Sequence, residues 1–327
     1  MAVILNLLFA LTLAIQTIAA TPAQPEKNQN GRFAVAVLRH DGTVIPFAAF
    51  DGKNWTSPWP TDLRFVEIPI GTESISDKWW GKAGPISVMT VWIHGVSRGQ
   101  IRLSRPIVLP VMCGTRLGMV TDYAFAQRVA LPFEQPYPKD GLAVSGEQTV
   151  EAIEELSDKS SEWKTMAESL REPVAKAEQT AIAAFTDWKD PIPRSTRRAT
   201  AVEIEAMYRA PMDTPGWVAY YIEAIKRYAP GPDDEDCGLV TSSNGWVYVD
   251  PKGKQRASFT ARVTYCDRRG VTYMLPLGLI KAHDRTYWVY QLSGYGREGY
   301  AITRPTPKTL EMQVQYPAAN CPILNAP

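Results

Sequence analysis

Near the end of the chain, Phe259, Ala261, Val263 and Tyr265 alternate with Thr260, Arg262 and Thr264. A strict period of two is the mark of a strand with one covered face and one wet face. Short runs rich in β-branched and aromatic residues surround it, at 246–249, 271–275, 277–281, 287–292 and 299–303. Turn residues such as Pro251-Lys252-Gly253 separate most of these runs. The spacing predicts an antiparallel β-meander over residues 231–327.

The first part of the chain reads the same way. Runs at 33–38 and 44–50 flank Asp41-Gly42, and Asp51-Gly52 follows the second. Asp-Gly between apolar runs is a hairpin signal, because Gly accepts the positive φ of a tight turn. Further runs at 86–94, 101–103, 107–112 and 117–129 make residues 21–135 a β-rich region.

Between the two, a helical spacing emerges. Ser145 and Gln148 stand at capping-box distance, and Val150, Ile153, Trp163, Met166 and Leu170 recur at helical intervals. Pro173 interrupts, and Val174, Ala177, Ala181, Phe185 and Trp188 resume the stripe. Thr200 and Glu203 predict another helix start. Thr214-Pro215 predicts a third, with Trp217, Tyr220, Tyr221, Ala224 and Tyr228 as its apolar face. Residues 136–230 are therefore expected to be helical, and the fold class is read as α+β.

The N-terminus predicts export. Residues 2–20 carry no charge and are mostly apolar, ending in Ala19 and Ala20 before Thr21-Pro22 and a polar run. An apolar core, a small-residue end and a polar start describe a signal peptide over residues 1–20, cleaved near Ala20 or Ala23. The competing reading is an uncleaved anchor. No later run is long and apolar enough to span a bilayer, so the expected location is secreted or periplasmic. The four cysteines fit that compartment, being even in number and free of CxxC spacing. The expected pairs are Cys237–Cys266, brought together by the hairpin at 251–253, and Cys113–Cys321 by elimination. A formal charge of +1 over 327 residues argues against a nucleic-acid partner.

Two kinds of site are legible. Gly95-Val96-Ser97-Arg98-Gly99 has the G-x-S-x-G form of a nucleophile elbow. The segment after it reads as strand where the elbow requires a helix, so a Gly-rich turn is the better account of Ser97. The second is aromatic. Trp55, Trp59, Trp79 and Trp80 lie in or near Pro- and Gly-rich loops, and Tyr295 and Tyr300 flank Gly296 to Gly299. Loop aromatics can form platforms for a glycan or a peptide. The alternative is that they plug a β-sheet core. No spacing points to a cofactor or a metal. The function expected is a non-catalytic binding or structural role in the periplasm or outside the cell. A secreted serine- or carboxylate-dependent hydrolase is the alternative.

Overall fold

In the computed structural model, the structure describes residues 31–61, 75–127, 137–185, 192–228 and 238–321. The expected signal peptide at 1–20 and Cys237 lie outside these. Seventeen strands and three α-helices are described. The strands are β1 (Phe33–Arg39), β2 (Thr43–Phe50), β3 (Trp55–Thr56), β4 (Val88–Ile93), β5 (Val96–Val111), β6 (Gly114–Thr121), β7 (Lys139–Val144), β8 (Val150–Glu151) and β9 (Glu154–Glu155). They continue as β10 (Glu203–Pro211), β11 (Val218–Arg227), β12 (Leu239–Val249), β13 (Gln255–Tyr265), β14 (Thr272–Ala282), β15 (Arg285–Gly294), β16 (Arg297–Pro305) and β17 (Leu310–Asn320). The helices are α1 (Ser161–Ser169), α2 (Arg171–Ala184) and α3 (Arg194–Ala199), and a 3-10 segment covers Asp77–Ala83.

The first sheet closes on itself. Its order is β1-β7-β4-β5-β6-β2, with β2 pairing back onto β1 and β3 beside the end of β2. The result is a six-stranded barrel, which leaves few backbone groups at open edges. The β4–β5 hairpin turns through His94 and Gly95, both at positive φ. Two five-stranded antiparallel sheets follow, β13-β12-β11-β10-β9 and β17-β16-β15-β14-β8.

These parts stack in four layers. The barrel shares one core with the inner face of β14–β17, through residues such as Tyr287, Val289, Tyr300 and Tyr316. Phe47 of β2 lies 5.4 Å from Tyr300, ring to ring. The opposite face of that sheet packs on β10–β12, where Trp246 and Trp288 meet edge to face at 4.9 Å. The outer face of β10–β12 carries Met207, Tyr220, Ile222 and Val247 against Met166, Leu170 and Val174 of the helical layer. Lys226, buried in β11, donates to Glu178 of α2 at 3.1 Å and pins helix to sheet.

The α+β expectation is overturned. Of the described residues 55% are strand and 15% helix, and the helical middle is a minor layer. The Thr200–Glu203 cap and its helix are replaced by β10, and the stripe of Trp217, Tyr220, Tyr221, Ala224 and Tyr228 belongs largely to β11. The physical reason is that β11 is covered on both faces, Tyr221 by the neighbouring sheet and Tyr220 by the helices. A strand buried on both sides needs no alternation, so its sequence matches a helical spacing equally well. The pair α1 and α2 keeps the stripe of Met166, Leu170, Val174 and Ala177. The helix is divided just before Pro173, at Leu170, and Pro173 falls in the first turn of α2, where a missing N–H is tolerated, so the apolar stripe runs on across the division. Within residues 231–327, β14 to β17 form a meander, while β12 and β13 belong to the other sheet.

Candidate functional site

Two loop segments, one after β2 and one before β4, come together beside the barrel. After Phe50 the chain turns at Asp51, whose Oδ1 accepts the amides of Lys53 at 2.9 Å and Asn54 at 2.7 Å. That turn returns the chain into β3 and on to Pro58 and Trp59. The indole of Trp59 is buried and donates to the carbonyl of Leu117 at 2.8 Å. The 3-10 segment Asp77–Ala83 folds over this ring. Trp80 lies 4.9 Å and Trp79 5.8 Å from Trp59 between ring centroids. Gly81 has φ +59° and its Cα passes so close that a Cβ would sit 3.2 Å from Pro58 Cγ. Only glycine adopts that backbone at little cost while allowing the approach.

Asp51, Thr56, Pro58, Asp77, Lys78, Gly81 and Lys82 line a hollow of about 500 Å³ between the two segments. Lys82 Nζ stands 3.5 Å from Asp51 Oδ2. The Asn54 and Lys53 amides, with Lys82 beyond them, hold the Asp51 carboxyl below its ordinary range. The wall thus presents both signs of charge on a base fixed by packed tryptophans. The β14–β15 turn also reaches these loops, with His283 Nε2 2.6 Å from the Gly52 carbonyl.

The aromatics singled out in the sequence divide. Trp59, Trp79 and Trp80 are brought together. Trp55 is buried separately, against Phe33, Phe50 and Tyr287. Tyr300 is fully buried where the barrel meets β16, its hydroxyl donating to Glu298 Oε1 at 2.5 Å. Trp79 is half-buried, and Tyr295 is exposed at the β15–β16 turn beneath the Arg269 guanidinium, 5.5 Å away. In this structure, Trp55, Trp59, Trp80 and Tyr300 are core side chains, and they do not form an exposed row.

Ser97 is exposed on β5, and its Oγ accepts the Gly99 amide at 3.5 Å. The strand runs on to Val111, so the helix of a nucleophile elbow is replaced by β structure. His94 and His283 occupy left-handed turn positions. Among the described residues, His40 is the histidine that pairs with a carboxylate, donating from Nδ1 to Asp140 across a sequence distance of 100 residues. Nothing in the sequence pointed to that pair, since closure of the barrel creates it.

Of the expected disulfides, Cys113–Cys321 is present, with Cα atoms 5.0 Å apart. Cys266 is disulfide-bonded, and its expected partner Cys237 lies outside the described residues. Among the described residues no three His, Cys, Asp or Glu side chains converge as a metal would need, and no helix is long and apolar enough to cross a membrane. Compared with protein-family models, curated proteins and solved structures, the chain matches none.

Proposed function

We propose that this chain is an exported binding protein that holds a polar peptide segment in the hollow formed by Asp51, Asp77, Lys78 and Lys82. The observation that carries the reading is the hollow itself. Its volume of about 500 Å³ is that of ordinary ligand sites. Its Asp51 carboxylate is held in place by the Lys53 and Asn54 amides before a ligand arrives, which lowers the ordering cost of binding there. Aspartates and lysines side by side suit a ligand with charges of both signs. A sugar would seek exposed aromatic faces, and Trp59 and Trp80 turn theirs into the core. The Cys113–Cys321 bridge and the signal-like N-terminus support an oxidising compartment, periplasmic or extracellular.

Peptide and glycan arrays probed with purified protein test the proposal. Peptides should give the signal, and Lys78→Ala with Lys82→Ala should weaken it by about tenfold or more, the size of a lost charge-assisted contact. Glycan signals alone, or binding indifferent to the two substitutions, would reject it. N-terminal sequencing of exported material should begin between Thr21 and Gln24. An intact Met1 on cytoplasmic protein would refute the export half.

A further inference from the structure

A second cluster lies at one end of the barrel, where β1 turns into β2, β6 ends and β7 begins. His40 clasps the segment after β6 twice. Its carbonyl accepts the Gln127 amide at 2.8 Å, and its Nε2 meets Gln127 Oε1 at 3.1 Å. On its other side His40 Nδ1 bonds to Asp140 Oδ1. Asp140 Oδ2 accepts the Tyr123 hydroxyl at 3.0 Å, so one carboxylate ties both the turn and the segment to β7. The ring of Tyr123 meets Phe125 edge to face at 5.9 Å, and Phe125 is 67% exposed.

An imidazole that donates to a carboxylate and to an amide oxygen at once must carry a proton on each nitrogen. Only the imidazolium does. We propose that residues 122–127 form a proton-dependent strap across this end of the barrel, clasped by protonated His40 between Asp140 and Gln127 and loosened when His40 becomes neutral. The inference is independent of the hollow and of its ligand.

The surrounding charges agree. Asp140 on β7 and Asp41 on the β1–β2 turn both favour the cation, and the bond to Asp140 is the leading cause that raises the His40 pKa above 6.5. Tyr123 is pushed up to about 12 by burial and by Asp140, so it stays neutral throughout. Arg98 of β5 acts on Tyr123 with the opposite sign. A group whose pKa is raised in the folded state contributes its full effect below its unfolded pKa. That effect disappears as pH rises through the folded value. The strap is therefore closed in acid and loosens on the alkaline side of 6.5.

Hydrogen exchange of the segment 122–127, corrected for the intrinsic pH dependence of exchange, reads the strap directly. Protection of the Gln127 amide should fall about tenfold or more between roughly pH 5.5 and 8.5. Gln127→Leu, an exposed change that leaves the barrel intact, should lower protection at acid pH to the alkaline wild-type level and flatten the profile. His40→Gln should flatten it too. Protection that does not change with pH in the wild type would overturn the proposal. A neutral His40 accepting from a turned-over Gln127 amide would give that result. An unchanged profile in Gln127→Leu would overturn it as well.

Discussion

Lys139 Nζ stands 2.5 Å from Glu298 Oε1, and the two side chains are 1% and 2% exposed. The contact crosses the seam between β7 of the barrel and β16 of the adjoining sheet, so two layers share one buried ion pair. Burial lowers the Lys139 pKa, Glu298 opposes that, and nearby Arg39 adds repulsion. Arg39 is itself buried, bonding to the Pro110 carbonyl and Asp41 and stacking 3.8 Å over the Tyr137 ring.

Removing one partner should be worse than removing both. Glu298→Gln keeps an acceptor for Tyr300 but leaves Lys139 without a counter-charge, with an expected loss of about 3–5 kcal/mol. Adding Lys139→Met should restore most of it, because two neutral side chains need no desolvated charge. Urea denaturation of the single and double variants measures this. Additive losses would show that the pair is not coupled.

Glu223 of β11 is buried between the two open sheets and accepts the Met274 amide of β14 at 2.6 Å. Burial pushes its pKa from 4.5 up to about 7, with Glu205 adding to the rise and Met274 opposing it. Between these two values the unfolded chain is ionised while the folded one keeps its proton, so stability falls as pH rises. Glu223→Gln keeps an acceptor for Met274 and removes the titration. It should match the wild type below about pH 4 and exceed it above pH 7 by up to about 3 kcal/mol. A stability difference that does not vary with pH would contradict this.

Cys113 sits in the β5–β6 turn at positive φ, and Cys321 follows β17, so the bridge ties the barrel to the adjoining sheet. It spans 208 residues of chain, and closing a loop of that length is worth about 5 kcal/mol in the chain-entropy account. Replacing both with serine should lower the melting temperature by roughly 10 °C. Peptide mapping without reductant should recover the Cys113–Cys321 pair. An unchanged melting temperature would mean that the layers hold without it.

Legibility in the sequence followed coverage. The edge strand β13, wet on one face, shows its period of two, and Asp41-Gly42 marks the β1–β2 turn. The covered strand β11 looks helical because both faces are apolar. The 16-residue β5 reads as separate pieces, since Pro106 and Pro110 punctuate it in sequence while the barrel carries it through. The tryptophan loops were visible as aromatic clusters, but their inward orientation was not. A ring on a Gly-rich loop has the same sequence whether the loop folds over it or away from it.

By itself, the sequence determined the local terms: turn chemistry, apolar runs, the α1–α2 stripe, the cysteine count and the near-zero net charge. Each depends on neighbours a few residues apart. Tertiary structure alone decided the closure of the barrel through the β1–β7 and β2–β6 pairings, the four-layer stack, the burial of Trp59 and Trp80, and the Lys139–Glu298 and His40–Asp140 pairs. These are contacts between segments far apart in the chain. Their energies exist only once closure and burial have removed the water between them.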